Sequence, residues 1–272
     1  MRVLIVLVVA LVHSVAWGCM DVEERELSAH FQGLSGSFAL ASLDEGWFVV
    51  HGVEDAKRPH LPASTFKIPA TLIALETGVA AVDEVRERDP ALAPAQDWWP
   101  RTWLQPHAMA TGFQASAVWL YQSLARDVGE ARMRDWLQRL GYGNGSIDGG
   151  VDRFWLDGGL AISTLEQVDF LSRLHWGELP VSDASRRAVL DLMLIDRGPE
   201  WRLLGKTGWS GTGDGTTPGV GWLVGYVESA QDTHAFALRI DVVEGTDPGV
   251  RLRILRSILG ELGLDGGGPG AG

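Results

Sequence analysis

The hydrophobic period of the chain changes twice, and this restricts the fold more than any other feature. Short apolar runs at 37–43 and 47–51, parted by an Asp44-Glu45-Gly46 turn, read as two strands. From 64 to about 197 apolar residues recur at helical spacing. Short runs then return between glycine-rich turns at 201–208, 219–227 and 234–242, and a last helical stretch, 251–262, follows. Strands that open and close a chain with a helical middle are most economically joined in one sheet. The expected fold class is therefore α/β (α+β mixed): an antiparallel sheet built from both chain ends, flanked by helices, with an inserted all-helical lobe. The mixed lobe takes about 19–63 and 200–265, the helical lobe about 64–199, and both belong to a single domain over 19–265. A site is expected in the cleft between them.

Within this frame, 21–31 reads as a short polar helix, 53–62 as irregular and 83–103 as a long structured loop. Helices are expected over 116–128 and 130–140, the second stopped by Gly141. Another opens with the capping-box spacing Ser163-Thr164-Leu165-Glu166, and one more runs over 183–195, closed by Gly198-Pro199. The glycine-rich tail, 266–272, is expected to be disordered.

The chain of 272 residues is 46% hydrophobic and 21% charged, values of a folded protein. Its net charge of −12, without a dense run of Lys or Arg, argues against a nucleic-acid partner, which needs clustered cations. The N-terminus has the layout of an export signal over 1–18: Arg2 is its only charge, an almost wholly apolar run follows, and Ala16-Trp17-Gly18 offers a cleavage site. The run is too short to span a bilayer. The single cysteine, Cys19, comes directly after the site; it excludes an intramolecular disulfide and leaves a lipid anchor there open.

Two short motifs carry chemistry. Ser64-Thr65-Phe66-Lys67 follows Pro62 and leads into the apolar stretch Ala70–Leu75. On a helix starting at Ser64, the hydroxyl and amine share a face one turn apart, the minimal arrangement for a lysine-assisted nucleophile. The bland alternative is an N-cap serine and a solvated lysine. Late in the chain Lys206-Thr207-Gly208 ends a strand, supplying a cation, a hydroxyl and a glycine that admits close approach. The seven histidines are scattered without His-x-His, so no metal site is expected. Gly-x-Ser-x-Gly is absent around Ser64, which argues against a Ser-His-Asp hydrolase.

With these two motifs the chain resembles the class D (oxacillinase-type) serine β-lactamases over nearly its whole mature length. Ser116-Ala117-Val118 matches that family's Ser-x-Val, Tyr142-Gly143-Asn144 its Tyr-Gly-Asn, and Phe154-Trp155-Leu156 its tryptophan segment. Arg251 stands where the family has its carboxylate-binding arginine. The resemblance implies hydrolysis of β-lactams through a Ser64 acyl-enzyme, with Lys67 carboxylated by carbon dioxide and acting as general base in both halves of the reaction. It implies no cofactor beyond that carbon dioxide, and no metal. It places Phe66, Val118 and Trp155 around the carbamate, Trp155 as a hydrogen-bond donor to it. Backbone N–H groups of Ser64 and Trp209 would form the oxyanion hole. Ser116 and Lys206 would move the proton to the leaving nitrogen, and Thr207, Gly208 and Arg251 would hold the substrate. Tyr142 and Asn144 fall to the site wall or to structure. The alternative is a penicillin-sensing or penicillin-binding domain that acylates without turnover. Localisation follows as the bacterial periplasm; substrate preference and oligomeric state stay open.

Overall fold

The computed structural model describes residues 21–211 and 217–264. The expected export signal, Cys19 and the tail over 266–272 lie outside the described residues. In chain order the elements are β1 (Asp21–Glu24), β2 (Gly36–Ser42), β3 (Trp47–His51), α1 (Val53–Ala56), α2 (Lys67–Glu76), α3 (Met109–Gln114), α4 (Val118–Val128), α5 (Glu130–Leu140) and α6 (Thr164–Trp176). Then come α7 (Asp183–Leu192), β4 (Leu194–Arg197), β5 (Trp201–Trp209), β6 (Gly219–Ser229), β7 (Thr233–Val242) and α8 (Val250–Leu262).

The strands form one sheet in the order β1-β3-β2-β7-β6-β5-β4. The pairing β2–β7, with Leu40 opposite Phe236, joins the two ends of the chain. Every pairing is antiparallel except β1–β3, which is parallel.

Side chains alternate across the sheet with period two and feed two cores. Phe38, Leu40, Phe236, Leu238 and Ile240 face α8, meeting Ile254, Leu255 and Ile258. Their neighbours Ala39, Ala41, Ala235 and Ala237 join the core on the other side, where α6 lies against β2 and β7. Four alanines present a flat surface, which lets that helix approach closely. The helices α2, α4 and α5 extend the same core outward.

Three expectations for local structure are corrected, the first at 53–62, read as irregular, which opens with the short helix Val53–Ala56. The polar stretch 21–31 does not form a helix: Asp21–Glu24 lies along β3, and only Ser28–Phe31 makes a 3-10 turn. Its charged side chains suit an outer strand with a solvated face. The helix read over 183–195 ends at Leu192, and Leu194–Arg197 becomes β4 because the edge of β5 offers it unpaired backbone groups. The capping box of α6 is formed as read, Ser163 Oγ accepting from Glu166 N and Glu166 accepting from Ser163 N.

Candidate active site

Ser64 and Lys67 are brought together by a turn tighter than the expected helix. Ala63–Phe66 is a 3-10 turn that runs directly into α2. Three residues per turn eclipse positions i and i+3, so Lys67 Nζ reaches Ser64 Oγ at 2.8 Å. Ser64 caps no helix with its side chain. Lys67 is wholly buried, although lysine is among the residues least often found so. Burial, then the nearby Lys206 charge, holds its pKa well below the ordinary lysine value. The bland reading of a solvated lysine is thereby excluded.

The turn is held from several sides. Ala63 has φ +48°, a strained value for a residue with a side chain. Thr65 Oγ1 donates to Pro62 O (2.8 Å) and accepts from Gln167 Nε2 (2.9 Å). Trp222 Nε1, from the sheet, donates to Leu61 O at 2.9 Å. A Cβ on Gly208 would stand 2.8 Å from Pro62 O. The close approach that Gly208 permits here is thus that of β5 to the Ser64 turn.

Ser116 was read as the first residue of a helix, but α4 starts at Val118 and Ser116 stands before it at φ +58°. Its N–H donates to Phe113 O (3.1 Å), and Ala117 N donates to Gly112 O (2.9 Å), which fixes the kink. The hydroxyl thereby faces β5, where Lys206 Nζ donates to Ser116 Oγ at 3.0 Å and to Thr207 O at 3.1 Å. Burial, followed by the Arg251 charge, lowers the pKa of Lys206 to about 7. The site therefore holds two hydroxyl–amine pairs, both amines shifted toward their neutral forms.

Around Lys67 the walls are aromatic. Phe66 stacks on Trp155 (5.1 Å between ring centroids) and meets Tyr142 edge-on at 6.0 Å. Tyr121, not singled out from sequence, places its ring 5.1 Å from Lys67 Nζ. It lies one turn after Val118 on α4, and that i+3 spacing was the available signal. Thr71 Oγ1 donates to Lys67 O, which leaves the Tyr121 hydroxyl as donor to Thr71 Oγ1 at 2.9 Å. Trp155 Nε1 is buried without a hydrogen-bond partner among the described residues. Such an orphan donor costs about 1–3 kcal/mol.

Asn144 is exposed and acts on the backbone. Its Nδ2 donates to Gly159 O (2.8 Å), and its Oδ1 accepts from Ser146 N and Ala161 N (both 3.1 Å). Gly143, at φ +51°, leaves no room for a Cβ against Ala161 O. The Tyr142-Gly143-Asn144 corner thus pins the strip of chain that follows Trp155.

Among the described residues, the outer edge of β5 is free beside Lys206 and Thr207. Ser210 N donates to Val220 O (3.0 Å), so by antiparallel alternation the backbone groups of Trp209 point away from β6, toward the cleft. Arg251 is buried at the start of α8. It donates from Nη1 to Gly208 O and Trp222 O, and from Nε to Pro248 O (3.0 Å). Its guanidinium lies 4.8 Å from the Trp209 ring. Burial lowers its pKa to about 10, a value that keeps it cationic at neutral pH. Among the described residues no group of three or more His, Cys, Asp and Glu side chains is placed to hold a metal, and no helix is long and apolar enough to cross a membrane.

Residues 55–260 match the family model of the penicillin-binding protein transpeptidase domain. The chain is 35% identical to β-lactamase OXA-10 of Pseudomonas aeruginosa over 243 residues, 89% of each protein. It is 36% identical to β-lactamase OXA-48 of Klebsiella pneumoniae over 245 residues, 87% of this chain and 88% of that one. Among solved structures it is similar to the class D β-lactamase YbXI from Nostoc, with a TM-score of 0.82 and 38% identity, covering 88% of this chain and 99% of that one. With the two hydroxyl–amine pairs in place on the matching fold, the chain belongs to the class D serine β-lactamases.

Proposed function

We propose that the chain hydrolyses β-lactam amides through an acyl-enzyme on Ser64. The observation that carries this reading is the hydrogen bond between Ser64 Oγ and a wholly buried Lys67 amine biased toward neutrality. A serine hydroxyl attacks only as its proton leaves, and a neutral amine at 2.8 Å is a competent neighbour for that proton. Ser64 Oγ bonds to the lactam carbonyl carbon, the carbonyl oxygen becomes anionic, and the N–H groups of Ser64 and Trp209 receive it. The ring C–N bond then breaks, and its nitrogen takes a proton through Ser116, which Lys206 supports at 3.0 Å. Thr207 and Arg251 hold the substrate carboxylate. Water finally splits the Ser64 ester and frees the serine.

The residues around Lys67 fit a carboxylated side chain. Carbon dioxide adds only to a neutral amine, the form that burial favours here, and Trp155 Nε1 is a buried donor in need of an acceptor. Trp155 and Ser64 would hold the carbamate, which would supply an anionic base beside the nucleophile. Phe66 and Tyr121, both buried, keep bulk water from that side.

A chromogenic cephalosporin tests the reading. Turnover well beyond one equivalent is expected, together with a transient Ser64 adduct in the mass spectrum. A single stoichiometric burst would instead assign the chain to the sensors that remain acylated.

A further inference from the structure

A cavity of about 360 Å3 has Lys206, Thr207 and Arg251 in its lining. Beyond these polar groups its walls are Phe113, Leu192, Leu194, Ile195, Pro248 and Leu252. One of these walls, Ile195, comes from an irregularity in the sheet. The β4–β5 register shifts between Leu194 and Asp196, so Ile195 is bulged out of the ladder. Bulges re-aim side chains, and here the Ile195 side chain folds over Gly205, where a Cβ would stand 2.9 Å from its Cδ1. Ile195 is left 39% exposed, an apolar side chain at the cavity mouth. The polar lining is thus Lys206, Thr207, Arg251 and Gln114, with Arg251 cationic, and the remaining side chains are apolar.

We infer that this cavity takes an apolar substituent on the ring carbon adjacent to the one bearing the substrate carboxylate, as in the C3 substituent of a cephalosporin. The inference rests on the β-lactam reading above. Thr207 and Arg251, which would hold the carboxylate, line the same cavity as Ile195 and Leu252, and the neighbouring ring carbon is only one bond from the carbon that bears the carboxylate. A small or polar group there leaves these walls wet, whereas an aryl group covers them. Burying such a group is worth roughly ten- to a hundredfold in affinity.

Two cephalosporins with the same acyl side chain provide the test, one with a C3 methyl group and one with a C3 aryl group that is not expelled. The aryl compound is expected to show a KM at least about tenfold lower on the native enzyme, and a correspondingly lower Kd on Ser64→Ala. Ile195→Asn and Leu252→Asn, which make the wall polar without adding a charge beside Arg251, should each remove that advantage while leaving kcat and KM for the methyl compound unchanged. Equal Kd values for the two compounds on Ser64→Ala, or variants that shift both compounds alike, would overturn the inference. Tighter aryl binding to Ser64→Ala without hydrolysis by the native chain would uphold the cavity and sink the proposed function instead.

Discussion

Lys206 Nζ lies 3.0 Å from Ser116 Oγ, across 90 positions of sequence, and this contact ties β5 to the entry of α4. It joins the two halves of the site: one hydroxyl–amine pair is local, built within a single turn, and the other closes the cleft. Each pair answers to a different perturbation.

Lys67→Ala should lower kcat by about 10²- to 10⁴-fold, the usual contribution of a positioned proton acceptor. The melting temperature should hold steady or rise, because the wholly buried amine is costly to the fold. Steady-state hydrolysis and a thermal melt on the same preparation check both. A large fall in melting temperature would mean that the lysine is structural.

The Lys206 pKa of about 7 gives the fold a pH dependence. Between about 7 and the ordinary lysine value of 10.5 the unfolded chain binds a proton that the folded chain has released. Stability from this group therefore rises with pH across that window and is flat below it, where both states are protonated. Denaturant midpoints of the native protein and Lys206→Met, compared from pH 6 to pH 10, should diverge in that direction. In the same window the lost positive charge should raise KM for carboxylate-bearing substrates.

Trp155→Phe keeps the stacking on Phe66 and removes the unpartnered Nε1. Without ligand the variant should be as stable as the native protein, or more stable by up to about 1–3 kcal/mol. Deacylation should slow more than acylation, and added bicarbonate should restore activity in part. Pre-steady-state bursts with and without bicarbonate separate these effects; equal slowing of both steps would count against a role in retaining the carbamate.

Gly208→Ala places a methyl group 2.8 Å from Pro62 O and 3.2 Å from both Thr65 Cγ2 and Trp222 Cβ. None of these neighbours is the far end of a flexible side chain, so the turn must move. The expected result is a fall in kcat/KM of about a hundredfold, as for other small misplacements of reacting groups. Ser64→Gly measured beside it sets the background rate. Unchanged kinetics would show that β5 does not position the nucleophile.

The strands from both ends, and the helices over 130–140 and 163–176, were legible because their apolar periods are regular and their caps are chemically marked. The site motifs were legible as letters in order, but their geometry was not. Helical spacing suggests that Ser64 and Ser116 both open helices; instead one sits in a 3-10 turn and the other in a left-handed kink. The first departure leans on partners distant in sequence, Gly208 and Trp222, whereas the kink is closed by backbone bonds to Phe113 and Gly112 that no side-chain pattern announces. Strand β4 was hidden for a related reason. Leu194–Arg197 has no strong local preference, and it extends only because the edge of β5 is there to receive it. Tyr121 was overlooked because an aromatic residue at helical spacing reads as ordinary core.

The pairing of β2 with β7 has a consequence for how activity first arises. Leu40 meets Phe236 only after almost the entire chain is present, and closing so long a loop is slow. The Ser64 turn leans on Gly208 and Trp222, both on strands that follow the helices in sequence. During refolding, helical signal should therefore recover before the protein can be acylated. Covalent labelling of Ser64 by a β-lactam would then serve as a clock for the last long-range strand pairing, read in a single chemical bond.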